Sequence, residues 1–470
     1  KFTAFAETSG AKQLSLRGME LVKIPEVPSM DGLKQLRLSA NQFDGVEFAK
    51  FSTASLAELK ELEEISIDHN VIEEVNNIVL PKTVEEIDLS HNLISHCSLS
   101  IVPEMSLKRI MIDHNAIDIV PMELFLIPSL ENLSLMHNEM AEFPLPSESL
   151  TEQIKESGNL KCLYLDYNKL SKFPQVGGFL RKLTYISLEG NSLTEIVYSD
   201  VEDFSILTSL CVSNNKLEKL EIGENLPALE FLDLMGNELE ELPSLKHMEN
   251  LRWCSVRKNK LSSLPDLPNL KSFSMEDNLF EVFPVNVPFD KLTELLTSRN
   301  LFTKIPEEVV QRQSTAGFTL GYNVPDLIIP NLYLGSEEGA GFKMFLVDNN
   351  VKRILKVKDR GQMFFPDEFE YKEILIGDVS SANIAQHFEE TYEFIHSSIE
   401  KGEAVLVHCT QGVSRSASIV ISFLMRYQNR SFADAQAFVK QRRPCIMPNN
   451  GFTKQLQDYG EKNGFGSAQE

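Results

Sequence analysis

The sequence is poor in tryptophan, in cysteine and in long apolar runs. One tryptophan and 6 cysteines occur in 470 residues, and the cysteines are too few and too scattered for the disulfide framework of a secreted domain. No apolar run approaches the roughly 20 residues of a membrane-spanning helix, and no signal-peptide pattern opens the chain. We therefore expect a cytoplasmic protein without membrane insertion. Because the chain begins at Lys1 and not at methionine, the sequence leaves open whether an N-terminal segment precedes it.

Basic residues are also scarce. The chain has 45 Lys and Arg against 68 Asp and Glu, a net charge of −23, and nearly all of this excess lies in residues 1–323. Such a surface repels the phosphates of nucleic acids and of anionic membranes, so no nucleic-acid partner is expected. The acidic surface could attract a basic protein, or it could only keep these residues soluble, and the composition allows both interpretations.

A repeated pattern, Leu-x-x-Leu-x-Leu-x-x-Asn-x-Leu, fills the first two-thirds of the chain. Each copy should add a short strand to a parallel sheet on a concave wall, with the asparagine satisfying buried backbone groups at the turn. Most intervals between copies are too short for long convex helices, so we expect extended segments or 3₁₀ turns there. The repeat asparagines are Asn41, Asn70, Asn92, Asn115, Asn138, Asn168, Asn191, Asn215, Asn237, Asn259, Asn278 and Asn300.

The residues between the leucines of each strand should face out of the concave wall. In the middle and later repeats several of them are aromatic, and aromatic side chains are common at binding hot spots. We predict a partner-binding face with an acidic first half and an aromatic second half; the alternative is that the aromatic rings only pack on one another. The predicted aromatic contacts are Tyr164, Tyr185, Phe231 and Trp253, and the acidic positions are Glu64, Asp68, Glu86, Asp88 and Asp113.

A different pattern follows near the C-terminus, where an apolar run ends at Cys409 and an arginine, Arg415, stands six positions later. Residues 403–408 predict a buried strand, and residues 417–427 predict a buried helix that begins near position 414. Cys409 would then face a helix N-terminus, where free N–H groups and the helix dipole favour an anion and a thiolate. Because Arg415 offers paired donors to phosphate oxygens, the pattern favours thiolate attack on a phosphate ester over a core cysteine beside a capping arginine.

The chemistry also needs a proton donor for the leaving oxygen. Asp378 is our candidate because it follows the short apolar run 374–376, and a loop at the end of a strand suits a mobile acid. Asp378 could instead be only a turn or capping residue. Asp367 is the rival candidate for the proton donor. Gly412 would let the loop curl with its N–H groups inward, and Ser416 could donate a hydrogen bond to the sulfur. This reaction requires no metal and no cofactor.

Residues 326–463 resemble a cysteine-dependent dual-specificity protein phosphatase. The resemblance rests on Ile329–Ser336, Val351–Leu355, His408–Ser416 (the signature HCxxGxSRS) and Pro448–Phe452. It implies that Cys409 is the nucleophile, that Arg415 binds phosphate and that Asp378 acts as acid and then as base. It also implies that His408 supports the low pKa of the cysteine and that Asn449 supports the loop. The sequence departs from the family at Lys356, where many members have asparagine, and we expect no effect of this difference on the chemistry. The expected substrate contacts are His408, Thr410, Gln411, Gly412, Val413, Ser414 and Ser416.

The repeats resemble a leucine-rich-repeat horseshoe, and proteins that join such repeats to this kind of phosphatase are known among protists. We therefore predict an α/β chain with a leucine-rich-repeat solenoid of 12–13 copies over 1–317 and a phosphatase domain with a central, mostly parallel sheet over 324–470. The resemblance implies that the substrate is a protein carrying phosphotyrosine and phosphoserine or phosphothreonine, such as a protein kinase. The uncharged side chains of Thr410, Gln411 and Val413 disfavour a phosphoinositide. A phosphoinositide phosphatase and an inactive phosphoprotein-binding scaffold remain the alternatives.

Overall fold

A computed structural model describes residues 12–25, 32–102, 104–201, 204–222, 226–268, 270–284, 286–302, 306, 309, 318–321, 325–361 and 363–466. Contacts divide the chain into two compact units, residues 1–273 with 286–292 and residues 274–285 with 293–470. The predicted junction at 312–317 lies outside the described residues, so the predicted bounds 1–317 and 324–470 stay a prediction. Among the described residues, no helix is long and apolar enough to cross a membrane.

The first unit is built from very short strands that pair in parallel along the chain. Leu36 is buried in the second of these strands and aligns with Leu14 and Ile65 on either side. Because successive side chains of a strand point to opposite faces, the flanking residues of each strand lie on the other, more exposed face. The strands are β1 (Gln13–Ser15), β2 (Gln35–Arg37), β3 (Glu64–Ser66), β4 (Glu74–Ile78), β5 (Glu86–Asp88), β6 (His96–Leu99), β7 (Arg109–Met111), β8 (Asn132–Ser134), β9 (Cys162–Tyr164), β10 (Tyr185–Ser187), β11 (Glu195–Ile196), β12 (Ser209–Cys211), β13 (Lys219–Leu220), β14 (Phe231–Asp233) and β15 (Trp253–Ser255). Strands β4 and β6 form one small separate parallel pair, and β11 and β13 form another.

Helices occur only where the interval between repeat asparagines is long, as far as the described part of this unit shows. Helix α1 (Gly45–Ala54) and helix α2 (Glu148–Ser157) fill the two longest intervals. Asp44 and Ser147 cap them by accepting hydrogen bonds from backbone N–H groups of the first turn. The other intervals have no room for a helix of this length and use extended segments and 3₁₀ turns, as expected. The 3₁₀ turns in the described residues of this unit are Leu56–Glu58, Met122–Leu126 and Tyr198–Asp200.

The repeat asparagines connect neighbouring copies, and Asn92 shows how. Its side-chain nitrogen donates to the carbonyl oxygens of Leu89 (3.0 Å) and Ile67 (3.2 Å), and its side-chain oxygen accepts from the N–H of Ile72 (3.1 Å). Asn92 is buried, and each of the two carbonyl oxygens also accepts from the asparagine of a neighbouring repeat, so these buried backbone groups are satisfied away from water. The asparagine therefore satisfies its own turn and the preceding repeat at once, which explains why this residue type recurs in the pattern.

The residue before the repeat asparagine has a left-handed backbone in all twelve copies, and four of these residues are histidines. The rings of His69, His91, His114, His137 and Tyr167 stack in one column, with neighbouring centroids 4.0–4.4 Å apart. Loss of hydration, and then the neighbouring histidines, lower the pKa of His91 and of His114. The central imidazoles of the column are therefore neutral at neutral pH.

The second unit contains a five-stranded sheet that is parallel except for the antiparallel pair at one edge. The strand order is β19 (Asp326–Ile329), β20 (Leu332–Gly335), β23 (Ala404–His408), β21 (Val351–Val357) and β22 (Glu370–Ile374). Strand β23 therefore lies at the centre, and all of its five residues are buried. A central strand of a covered parallel sheet needs apolar side chains on both faces, which explains the continuous apolar run that ends at the cysteine. The strands that complete the numbering are β16 (Ser272–Ser274), β17 (Glu294–Leu296), β18 (Thr319–Gly321), β19 (Asp326–Ile329), β20 (Leu332–Gly335), β21 (Val351–Val357), β22 (Glu370–Ile374) and β23 (Ala404–His408).

Helix α6 (Arg415–Tyr427) follows the central strand and contacts three other helices of the unit, α5 (Phe388–Glu400), α7 (Phe432–Arg442) and α8 (Asn450–Asn463). Every residue from Arg415 to Met425 is buried, because a helix that is enclosed on all sides has no solvated face. This position anchors the loop between β23 and α6 at both ends. The helices whose full extent the described residues of the unit give are α3 (Glu337–Ala340), α4 (Lys343–Asp348), α5 (Phe388–Glu400), α6, α7 (Phe432–Arg442) and α8 (Asn450–Asn463), with a 3₁₀ turn at Ala385–His387.

Candidate active site

The site lies at the carboxyl edge of the five-stranded sheet. Strands β21, β22 and β23 run parallel, so their C-terminal ends meet at one edge, where α/β proteins commonly bind ligands. The loop after β21 carries Asp359, the loop after β22 carries Asp378, and β23 leads directly into Cys409. Three segments that are distant in sequence thus deliver polar side chains to one place.

Cys409 is 2% exposed and lies between strand β23 and helix α6. The N–H of Gly412 points at its sulfur at 3.2 Å, and the hydroxyl of Ser416 donates to the same sulfur at 3.1 Å. Burial by itself would raise the pKa of the Cys409 thiol. The hydrogen bonds from Ser416 and Gly412 and the charge of Arg415 outweigh burial and lower that pKa below its ordinary value. The site therefore favours a nucleophilic thiolate.

Arg415 is buried at the first position of α6, with its guanidinium beside the same loop. Its Nη2 donates to the hydroxyl of Thr410 (3.0 Å), and its Nη1 lies 3.2 Å from a carboxylate oxygen of Asp359 and 3.3 Å from the carbonyl oxygen of Ile376. Its Nε lies 3.6 Å from a carboxylate oxygen of Asp378. The guanidinium is thus ringed by acceptors, and a phosphate that binds it must compete with the carboxylate of Asp359.

Asp378 reaches the loop through two hydrogen bonds to one of its carboxylate oxygens. The hydroxyl of Ser414 donates at 2.7 Å and the side-chain amide of Asn449 donates at 2.9 Å. The hydroxyl of Ser414 also accepts from the backbone N–H of Asn449 (3.2 Å), so Asn449 braces both residues. Asp378 is about one-third exposed, which suits a group that exchanges protons. The rival Asp367 lies on an exposed turn, and none of the described contacts of Cys409 or Arg415 involves it.

His408 is buried beside Cys409, with its Nδ1 3.2 Å from the carbonyl oxygen of Cys409. Burial, and to a smaller extent the charges of Lys356 and Lys358, lower the pKa of His408 to about 4. A neutral imidazole adds no positive charge beside the sulfur, and the described contact of the His408 ring is with the backbone of Cys409. Lys356 aligns with His408 on the neighbouring strand, is buried, and forms an ion pair with Glu373. The residue that departs from the family pattern therefore has its charge balanced by a carboxylate.

The other predicted contact residues line the same loop at different depths. Thr410 and Gln411 are exposed, Val413 is half-buried, and Gly412 and Ser414 are buried. Gly412 has a backbone φ of +70°, and a Cβ there would lie 2.4 Å from the carbonyl oxygen of Gly335, so only glycine fits. The structure therefore brings together all of the residues that the sequence assigned to this loop.

Two further residues of the site have no signal in the local sequence pattern. Asp359 lies beside Arg415, and Arg443 donates to the carbonyl oxygens of Gln411 and Gly412. Neither residue belongs to a recognised sequence motif. Both lie in polar segments whose composition is typical of an exposed surface. Within the described ranges, no group of three or more His, Cys, Asp or Glu side chains is placed to hold a metal ion.

The predicted partner-binding residues of the repeats are half-buried and pair with one another. The rings of Phe231 and Trp253 are parallel with centroids 4.1 Å apart, and those of Tyr164 and Tyr185 are tilted with centroids 5.0 Å apart. Each ring therefore keeps part of its surface accessible while it packs on its neighbour. Among the acidic positions, Glu86 pairs with Arg109, whereas Asp68 and Asp113 accept hydrogen bonds from serine hydroxyls.

Comparisons with known proteins agree with this geometry. A family model described as the dual specificity phosphatase catalytic domain matches residues 332–462. The chain is 42% identical over 136 residues to dual specificity protein phosphatase 1 of Arabidopsis thaliana, a span that covers 29% of this chain and 69% of that relative. The chain therefore belongs to the dual-specificity phosphatase family.

Two further relatives bear on the repeats. The chain is 48% identical over 136 residues to MAP kinase phosphatase with leucine-rich repeats protein 2 of Dictyostelium discoideum, but this span covers 29% of this chain and only 19% of that longer relative. A solved leucine-rich-repeat protein of Leptospira interrogans superposes with a TM-score of 0.52 over 75% of this chain and 92% of its own, at 21% identity. At that identity the likeness concerns the fold, and the predicted α/β chain with a leucine-rich-repeat array and a phosphatase domain is confirmed.

Proposed function

We propose that this protein hydrolyses phosphotyrosine and phosphoserine or phosphothreonine in a protein substrate, through a cysteinyl-phosphate intermediate. The observation that carries the proposal is the Cys409 sulfur, which receives hydrogen bonds from Gly412 and Ser416 and has a lowered pKa beside Arg415. A buried thiolate needs such hydrogen-bond donors to exist at neutral pH. A buried cysteine with only a packing role stays a neutral thiol and needs no such donors.

The reaction follows from the placement of these groups. The thiolate of Cys409 attacks phosphorus while the guanidinium of Arg415 and the loop N–H groups hold the phosphate oxygens. Asp378 gives its proton to the leaving oxygen as the P–O bond breaks. Water then attacks the cysteinyl phosphate and yields a proton to Asp378, and the S–P bond breaks. Ser416 and Gly412 stabilise the departing thiolate through the hydrogen bonds already present.

A protein substrate is supported by three uncharged side chains of the loop. Thr410, Gln411 and Val413 carry no charge, so the loop has no lysine for the additional phosphates of a phosphoinositide. The name of the Dictyostelium relative refers to MAP kinase, which supports a phosphorylated protein kinase as the candidate substrate.

Activity of the full chain should discriminate between the substrate classes. We expect turnover of para-nitrophenyl phosphate in the presence of EDTA, and a kcat/KM for phosphotyrosine and phosphothreonine peptides that exceeds that for phosphoinositides by about tenfold or more, which is about 1.4 kcal/mol of transition-state stabilisation. The reverse order would make the protein a lipid phosphatase. No turnover of any substrate under reducing conditions, combined with retained phosphopeptide binding, would make it a scaffold.

We further propose that the concave face of the repeats recruits a basic protein partner or the substrate itself. Support comes from the negative charge of residues 1–323 and from the accessible part of the stacked pair Phe231 and Trp253. The proposed domains remain 1–317 for recruitment and 324–470 for catalysis. A reducing, cytoplasmic compartment is proposed because the nucleophile requires a free thiol.

Substitution of the stacked pair should weaken partner binding without affecting catalysis. For a partner captured by the native chain, we expect Phe231→Ala with Trp253→Ala to raise Kd about thirtyfold or more, because truncating a hot-spot residue costs about 2 kcal/mol. Trp253 is the only tryptophan, so its fluorescence in the native chain reports the same binding event directly. The control is Leu145→Ala, which removes an exposed apolar side chain elsewhere. Unchanged affinity in the double variant would mean that the rings only pack on one another.

A further inference from the structure

Arg443 is a buried arginine that the reaction described above does not use. It follows the last residue of α7, and its side chain is 8% exposed. Its Nε donates to the carbonyl oxygen of Gly412 and its Nη2 to that of Gln411, both at 2.9 Å, while its Nη1 pairs with a carboxylate oxygen of Asp326 at 2.7 Å. Taking a guanidinium out of water is costly, and these three charge-assisted contacts offset that cost.

The two carbonyl contacts determine where the loop N–H groups point. In a trans peptide group the C=O and the following N–H point in opposite directions. When Arg443 holds the carbonyl of Gln411 behind the loop, the N–H of Gly412 must face forward, and it does lie 3.2 Å from the sulfur of Cys409. In the same way, the hold on the carbonyl of Gly412 turns the N–H of Val413 forward. Arg443, on the far side of the loop, thus determines the direction of the N–H donors that face the thiolate and the phosphate.

The close approach of Arg443 also depends on Gly412. A Cβ at Gly412 would lie 2.6 Å from Nη2 of Arg443, so a side chain there would push the guanidinium away. Asp326, the first residue of β19, holds the guanidinium from the opposite side and is itself partly exposed. Asp326 and Arg443 are 117 positions apart in sequence, and they form a brace between the first strand of the five-stranded sheet and the loop.

We infer that Arg443, oriented by Asp326, is a positioning residue for catalysis, which turns the N–H groups of Gly412 and Val413 toward the thiolate and the phosphate. This inference rests on the proposed function, because it assigns a positioning role to a residue behind the same catalytic loop. Arg443 touches neither the sulfur nor the phosphate position. Its loss would leave the loop in place but would let its peptide groups rotate, so that fewer donors stabilise the negative charge.

The test measures the thiolate of Cys409 in the full chain without requiring turnover. The rate of alkylation by iodoacetamide as a function of pH gives the pKa of the thiol. In Arg443→Met we expect that pKa to rise by about one unit, because two donors lose their orientation. For para-nitrophenyl phosphate we expect kcat to fall about 10²-fold, the loss typical of one oxyanion donor. Asp326→Asn should shift both quantities in the same direction by a smaller amount.

Arg442→Met is the matched control, because Arg442 is adjacent in sequence but donates to the carbonyl of Phe438 and stacks on its ring. It should leave the alkylation profile and kcat unchanged. A lower thermal midpoint in Arg443→Met with an unchanged thiol pKa and kcat would overturn the inference and leave a purely structural role. If Arg443→Met does not fold, Arg443→Lys and Asp326→Asn decide by the same two quantities. If the chain shows no phosphatase activity, the alkylation profile still decides this inference, so the two failures are distinguishable.

Discussion

Replacing Cys409 with serine should reduce turnover of para-nitrophenyl phosphate and of phosphopeptides by about 10⁴-fold or more, the scale seen when a catalytic nucleophile is removed. The physical reason is that the site is organised to stabilise a thiolate. The donors from Gly412 and Ser416 and the charge of Arg415 lower the pKa of the thiol, whereas a serine hydroxyl keeps its proton under the same conditions. Phosphate binding by Arg415 should survive, so the variant should still bind a phosphopeptide.

Cys445 provides the control for this experiment. It is an exposed free cysteine of the same unit, and Cys445→Ser should leave kcat unchanged. In the native chain, iodoacetamide should inactivate the enzyme by modifying Cys409, and inorganic phosphate should protect it. Substantial turnover by Cys409→Ser would exclude the covalent mechanism and would require a different nucleophile, such as an activated water.

Replacing Asp378 with asparagine should reduce turnover of a phosphoserine peptide by about 10²–10⁴-fold, the usual contribution of general acid–base catalysis. Serine leaves as a poor alkoxide and needs a proton, whereas para-nitrophenolate leaves readily without one. The loss should therefore be much smaller for para-nitrophenyl phosphate. An asparagine oxygen can still accept the hydrogen bonds from Ser414 and Asn449, so the fold of the loop should not change.

The ratio between the two losses is the decisive measurement for Asp378. Equal losses for both substrates would mean that Asp378 contributes to binding or to loop structure and does not donate a proton. Asp367→Asn is the matched control, because Asp367 was the rival candidate and lies on an exposed turn. If Asp367→Asn showed the dependence on the leaving group and Asp378→Asn did not, the two assignments would be exchanged.

Several features of the protein could be predicted because they depend on residues close together in sequence. The alternation of leucines predicts the three-residue strands, and the recurring asparagine predicts the turn that Asn92 forms. The apolar run before Cys409 and the apolar helix after it predict the loop between them, since a strand end and a helix N-terminus are local properties. Sequence reasoning also placed Asp378 near Cys409, although the proposed catalytic roles of both residues await the experiments above.

What the sequence by itself determined is therefore the repeat array, the strand–loop–helix segment around Cys409 and the family of the second unit. The tertiary structure alone revealed the contact of Asp359 with Arg415, the brace of Asp326 and Arg443 behind the loop, and the pairing of Phe231 with Trp253. The physical reason is that the first two contacts join segments that have no fixed spacing along the chain. Phe231 and Trp253 are equivalent residues of adjacent repeats, and the sequence left open whether their rings pack on one another. Such contacts form only when parallel strands bring their carboxyl ends to one edge, or when successive repeats place equivalent residues side by side.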